Sequence, residues 1–328
     1  KAAGVPEKTP ITDRRRPDNV KFNQEREYEL LDPIPAQKRN TLELFHTQRD
    51  NRGRRNHTIR VAEPIQYPEA DLLVPPYVLG AWLGDGTRGA GGFTSIDVPV
   101  LERIKSFGYT VTSGKQDKMW YIQGLVGQLR EIGVLKDKHI PEVYKRASVE
   151  QRLELIRGLM DTDGHVANVG KIEISLSHEP LARDLHEMLV SLGIKVNILE
   201  REAKLYGVNK KNRFRMNFYS DFPIFHLPRH VERWKKTPNS DAESNRRKNW
   251  YITSIEEIDP EPLQCIQVES DSHMYLLGEH LIPTHNSFLV RYLSIMYAAM
   301  IPQLSIYLFR RKYSELMQNH MWGPQGYT

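Results

Sequence analysis

One pattern occurs twice in this chain, and a repeated helix end of this kind restricts the fold to a paired arrangement. Tyr77–Gly86 and Leu155–Gly164 are each an apolar, helix-compatible run that carries a Gly five residues before an Asp and closes on Asp-Gly. The two Asp residues stand 78 positions apart, the length of one small folding unit rather than of a short-period solenoid. A helix is expected over each run, ended by a Gly that takes positive φ at little cost. Small residues at Gly80, Gly84 and Gly158 would let the two helices lie side by side. Their tips would then bring Asp85 and Asp163 together.

Two juxtaposed carboxylates repel unless a divalent cation lies between them. Oxygen-only ligation suits Mg²⁺, which keeps some waters and takes phosphate oxygens as further ligands. A calcium loop at Asp161-Thr162-Asp163-Gly164 does not fit, because its turn Gly belongs at the sixth position and here it is the fourth.

A second chemistry is written near the other end. The sequence Pro283-Thr284-His285-Asn286-Ser287 follows Cys265–Ser270, an extended-looking run, and His273. An Asn side-chain amide can attack its own carbonyl and close a succinimide, which breaks the bond to the next residue. Neighbouring imidazoles, here His273 and His285, would carry the protons. Cys265 could be a nucleophile or simply a buried strand sulfur.

Composition sets outer limits. The 328 residues suit two modest domains. No apolar run approaches the length of a membrane span, and no secretion signal core is present, so a cytoplasmic setting is expected. One cysteine excludes an internal disulfide and multi-cysteine zinc sites. The formal net charge is +5, and the excess is local: residues 201–250 hold thirteen Lys or Arg against five Asp or Glu. Lys210, Lys211 and Arg213 cluster, and Arg215 and Asn217 alternate with Phe214 and Phe218 as on a strand with one basic face. Such a face fits phosphate neutralisation along double-stranded DNA.

The duplicated motifs resemble those of LAGLIDADG (dodecapeptide, DOD-type) homing endonucleases, and Cys265–Ser287 resembles the C-terminal splicing block of inteins. The order, endonuclease first and splicing block after it, is that of a large intein. The resemblance implies that Asp85 and Asp163 are the metal-binding catalytic acids of a site-specific, double-strand DNA cut with Mg²⁺. Lys138, in Lys138-His139-Ile140-Pro141, matches the family's active-site lysine segment and would stabilise developing phosphate charge or organise water. It implies β-ribbons lying in the major groove, with Lys210, Lys211, Arg213 and Arg215 on them, and a pseudo-dimeric monomer. His273, His285, Asn286 and Ser287 would carry the splicing step. The first splicing block has no counterpart after Lys1-Ala2-Ala3-Gly4, so the expectation is either a truncated sequence or a first half supplied by another chain. Residues from Ser287 onward resemble the stretch after the phosphate loop of a phage terminase large subunit. Two alternatives stay open: a non-cleaving, maturase-like nucleic-acid-binding module, and an inert intein remnant in an ATPase fragment.

The expected fold class is α+β: a pseudo-twofold pair of αββαββα-like units, part of a β-rich splicing (Hint) domain, and a short α/β host fragment. The expected divisions are a partly disordered connector over 1–65 and the endonuclease over 66–235, with repeats at about 74–148 and 149–235. The splicing region follows at 236–286 and the host fragment at 287–328. Strands are expected at Gly92–Ser95, Tyr109–Thr112, Met119–Ile122, Lys171–Leu176, Lys195–Glu200, Phe214–Tyr219, Trp250–Glu256, Leu263–Ser270 and His273–Leu277. Helices are expected at Val126–Ile132 and Pro180–Leu192.

Overall fold

The structure, a computed structural model, describes residues 41–95, 97–167, 170–205, 208–235, 245–259, 268 and 274–284. The chain divides after Thr47. In the first unit, Thr41–His46 forms helix α1, closed by the Thr47 hydroxyl donating to the Glu43 carbonyl.

In the second unit, strand β1 (Thr58–Arg60) precedes helix α2 (Pro76–Asp85). Pro76 opens α2, where its missing N–H loses nothing and its fixed φ suits the first turn. Tyr77 through Leu83 are all buried, so this helix is enclosed on every side instead of showing a polar face. Strand β2 (Gly92–Thr94), helix α3 (Val98–Ser106), strands β3 (Val111–Ser113) and β4 (Met119–Ile122), and helices α4 (Leu125–Glu131) and α5 (Glu142–Lys145) complete the first repeat.

The second repeat begins with helix α6 (Val149–Asp163). Its start is fixed by a capping box: the Ser148 hydroxyl accepts from the Gln151 N–H, and the Gln151 side chain accepts from the Ser148 N–H. Strands β5 (Gly164–Val166) and β6 (Ile172–Leu176), helix α7 (Glu179–Ser191), strands β7 (Ile198–Leu205) and β8 (Val208–Phe218), and helix α8 (Pro228–Lys235) follow. Beyond it come helix α9 (Asn245–Lys248) and strands β9 (Asn249–Tyr251), β10 (Tyr275–Leu277) and β11 (Ile282–Thr284).

The architecture is α+β, built on small antiparallel sheets. The first repeat has strand order β2-β4-β3 and the second β5-β6-β8-β7, so β6-β8-β7 repeats β2-β4-β3. The αββαββα order is complete in the second repeat. In the first, the leading strand is reduced to a single bridge, Gly86 to Phe93, where the second repeat pairs Gly164 with Ile174. The residues after Gly86 explain the difference: Thr87 to Gly91 turn back at once, with the Thr87 N–H donating to the Gly92 carbonyl at 2.7 Å.

Several boundaries differ from expectation. Helix α3 was not expected, because its apolar positions, Val100, Leu101 and Ile104, are few; Pro99 lies in its first turn, where a proline is tolerated. Strand β7 starts at Ile198, not Lys195, and runs on to Leu205. Strand β9 stops at Tyr251, well short of Glu256, where its pairing with β1 ends. Strand β10 begins at Tyr275. The expected strand Leu263–Ser270, the connector through residue 40 and the host fragment 287–328 lie outside the described residues, Val268 apart.

Candidate nuclease site

Helices α2 and α6 touch backbone to backbone. A Cβ on Gly80 would stand 1.9 Å from the Leu155 carbonyl oxygen, and one on Gly158 would stand 2.1 Å from that of Tyr77. Glycine is therefore the residue that fits at either crossing point. At the tips, a Cβ on Gly84 would meet Thr162 Oγ1 at 2.0 Å and Asp163 Oδ2 at 3.4 Å. Asp85, one residue along, thus ends its helix beside Asp163.

The Gly after each Asp serves differently from expectation. Gly86 has φ −71° and Gly164 φ −91°, ordinary values for any residue. What each requires is the absence of a side chain: a Cβ on Gly86 would stand 2.3 Å from Trp82, and one on Gly164 2.3 Å from Met160. The chain leaves each helix by folding back across its own last turn.

Lys138 closes this site from the loop between α4 and α5. Its ammonium donates to the Leu83 and Gly84 carbonyls at 2.9 and 3.0 Å, and lies 5.0 Å from the centre of the Trp82 ring. The last carbonyls of α2 carry the negative end of its dipole, and a cation there is favourable. Burial lowers Lys138 to about 8, while Asp163 and Asp85 pull it upward. Loss of solvent, and then the Asp163 charge, push Asp85 up to about 6, with Lys138 opposing. Loss of solvent also raises Asp163, again opposed by Lys138.

The neighbouring acid Asp161 provides a contrast. It is 1% exposed and accepts three hydrogen bonds, from the Tyr77 hydroxyl and from the N–H groups of His226 and Leu227. Two residues further along the helix, Asp163 points elsewhere, since each residue turns about 100°, and it remains open to solvent at the helix tip. No hydrogen bond reaches the carboxylate of Asp85 or Asp163 among the described residues. Two adjacent acids without donors, accessible from one side, form an oxygen donor set of the kind a hard divalent cation takes. By this test, the residues present fit a Mg²⁺ ion.

The structure thus brings Asp85, Asp163 and Lys138 together. Arg213 is exposed, and Arg215 lies on the outer face of β8, opposite buried Phe214, Met216 and Phe218. Arg215 donates to Glu173 at 2.6 Å, and Glu173 also meets Lys171 and His165, so the face keeps a positive excess around one acid. The side chains of Lys210 and Lys211, and the residues His273, His285, Asn286, Ser287 and Cys265, lie outside the described residues.

Sequence reasoning missed Asp97 and Arg229. They pair between the start of α3 and α8, and the Asp97 charge contributes to raising Asp85. No motif signals a contact between residues so far apart in the chain. Thr162, whose hydroxyl turns back onto the Leu159 carbonyl at 2.9 Å beneath Gly84, was also unmarked.

Comparison with known proteins follows the same lines. Residues 150–220 match the family described as LAGLIDADG-like domain. The chain is 34% identical over 239 residues to the replicative DNA helicase DnaB of Mycobacterium intracellulare, an alignment covering 72% of this chain. The chain spans 39% of that relative's length. Among solved structures, mesophilic variants of the homing endonuclease I-DmoI match with a TM-score of 0.32 and 14% identity, covering 44% of this chain and 88% of that one. I-DmoI in complex with DNA and Mn matches with the same score and identity, covering 44% and 89%. A variant of I-DmoI with its target DNA in the presence of Mg gives 44% and 88%, again at 0.32 and 14%. The terminase-like, phage host expected from residues 287–328 is not supported, since the DnaB relative is a replicative helicase. The second repeat is thus similar to a LAGLIDADG-like domain, in a chain most of whose length is similar to part of a DnaB helicase.

Proposed function

We propose that this chain is a divalent-metal-dependent DNA endonuclease of the homing type, carried as an intein in a DnaB-type helicase host. The observation that carries the nuclease reading is the meeting of Asp85 and Asp163. Two helices held in backbone contact by Gly80 and Gly158 deliver two adjacent, donor-free carboxylates under one lysine.

Asp85 and Asp163 would hold the cation. When bound, Mg²⁺ supplies Lewis-acid stabilisation of the oxygens of a phosphodiester undergoing hydrolysis. The residues of the chain do the rest. Lys138, fixed by two carbonyls, stands where phosphate charge would build up, and its fixed position means little reorganisation during reaction. The outer face of β8, with Arg213 and Arg215, holds the duplex through its phosphates. The related helicase supports the host assignment, and under it His273, His285 and Asn286 would break the Asn286–Ser287 bond by Asn cyclisation.

The test of the nuclease is a Mg²⁺-dependent nicking and cutting assay on host-gene DNA lacking the insertion. Asp85→Asn and Asp163→Asn are each expected to lower cutting by more than about a thousandfold, since each removes half of the charge holding the metal. Binding of duplex should persist. Full cutting by both variants removes the metal assignment. Duplex binding by the parent without any cutting selects the maturase-like alternative. For splicing, intact mass after long incubation separates the cases: a product ending at residue 286 supports cyclisation, and identical masses for parent and Asn286→Ala exclude it.

A further inference from the structure

Lys138 belongs to the first repeat, but the loop that carries it is fastened to the second. Residues 132–141, between α4 and α5, form no helix or strand. Val134, Leu135 and Ile140 are buried and anchor the two ends of this loop. The stretch between them, which includes Lys138, is held by polar contacts instead.

Two side chains from α7 make those contacts, one on either side of Lys138. The Nε2–H of His178, the residue that opens α7, donates to the Asp137 carboxylate at 2.9 Å. The Asp184 carboxylate accepts from the Ile140 N–H at 2.8 Å and from the Lys145 ammonium of α5 at 3.1 Å. His139 Nδ1 lies 2.8 Å from the Asp137 carbonyl, which ties the loop to itself across Lys138. Asp184 also neutralises a buried lysine, so its loss would disturb the fold. The His178–Asp137 contact is different. Its side chains are 28% and 66% exposed, and a pair that open to solvent adds little to stability. It nevertheless fixes the residue next to Lys138, and a misplacement of about 1 Å in an active group can slow a reaction about a hundredfold. Position, more than stability, is what this contact provides.

We propose that His178 is a positioning residue for DNA cutting: from the second repeat it holds Asp137, and through Asp137 it sets Lys138 of the first repeat beside Asp85 and Asp163. The inference rests on the nuclease reading. It deepens that reading by making the placement of Lys138 depend on both repeats.

The test is single-turnover cutting of the insertion-free host-gene duplex in Mg²⁺. Excess protein is used at several concentrations, so that the maximal rate and the half-saturating concentration are read separately. His178→Ala is expected to lower the maximal rate about 10- to 100-fold, with the half-saturating concentration and the melting temperature unchanged. Asp137→Ala should do the same, and the double variant no more than either, since the two residues form one contact. His178→Gln should recover most of the rate, because its amide keeps an N–H donor at the reach of Nε2. In a Lys138→Ala background, followed over long incubation, His178→Ala should cost nothing further. If His178→Ala cuts at the parental rate, or lowers the rate equally with and without Lys138, the proposal is overturned and the nuclease reading stands. A melting temperature that falls with the rate in His178→Ala, His178→Gln and Asp137→Ala alike marks a structural contact and overturns it too. If the parent cuts nothing, the nuclease reading and this inference fall together.

Discussion

The carboxylates of Asp85 and Glu154 place opposite demands on pH. Asp85 is pushed up to about 6 from 3.8 by loss of solvent and by Asp163. Between those values the folded chain binds more protons than the unfolded one, so stability falls as pH rises through that window. Discounted for partial exposure, the penalty at neutral pH is roughly 1–2 kcal/mol. Asp85→Asn is therefore expected to melt higher than the parent at pH 7.5 in chelator, with the gap closing towards pH 4. Mg²⁺ should raise the parent's melting temperature and leave that of Asp85→Asn nearly unchanged; thermal melts over pH and metal concentration check both. Glu154 behaves in the reverse sense. Although burial raises it, hydrogen bonds from His226, Arg103 and Arg157 hold it at about 2. Its contribution is complete above the unfolded value near 4.5 and is lost as pH falls towards 2. Asp161 and Asp163 differ in the same physical terms, one saturated with donors and one with none. Their separation by two helical positions was present in the sequence, but the partners of Asp161, Tyr77 and the 226–227 backbone, were not.

At the scale of elements, the α2–α6 contact decides whether the site exists. Gly80→Ala places a methyl group 1.9 Å from a backbone oxygen, and neither helix can yield without moving as a whole. A loss of about 3 kcal/mol or more is expected, together with loss of cutting, because the tips separate. Gly127 provides the control: it lies within α4, and a Cβ there meets nothing within 4 Å. Gly127→Ala should gain about 0.5–1 kcal/mol through reduced freedom of the unfolded chain. Denaturant titration of the two variants against the parent gives both numbers. The glycine spacing was legible because helical periodicity projects Gly80 and Gly84 onto one side of the first helix, and Gly158 matches Gly80 in the second. The reason for Gly86 and Gly164 was not, since the expectation was positive φ and the cause is the proximity of Trp82 and Met160.

Over the second unit as a whole, the two repeats are joined by polar as well as apolar contacts. Arg103 of α3 donates to Glu154 of α6 at 2.9 Å, and Tyr77 of α2 donates to Asp161 of α6 at 2.9 Å. The capping residue Gln151 also exchanges hydrogen bonds with Ala70 at 2.7 and 2.9 Å. Neither repeat can bury its glycine-lined helix alone, so both are expected to unfold in one transition, by calorimetry and by tryptophan fluorescence alike. Acid should disrupt that transition between about pH 4.5 and 2, as Glu154 is protonated. By itself, the sequence determined the duplication, the two acidic helix ends and the α+β alternation, because these are local patterns with periods of about 3.6 and 2 residues. Only the tertiary structure decided that Lys138 closes α2, that Tyr77 donates to Asp161, and that Asp97 meets Arg229. Each of these depends on residues distant in the chain becoming neighbours, and no spacing along the chain encodes such a meeting.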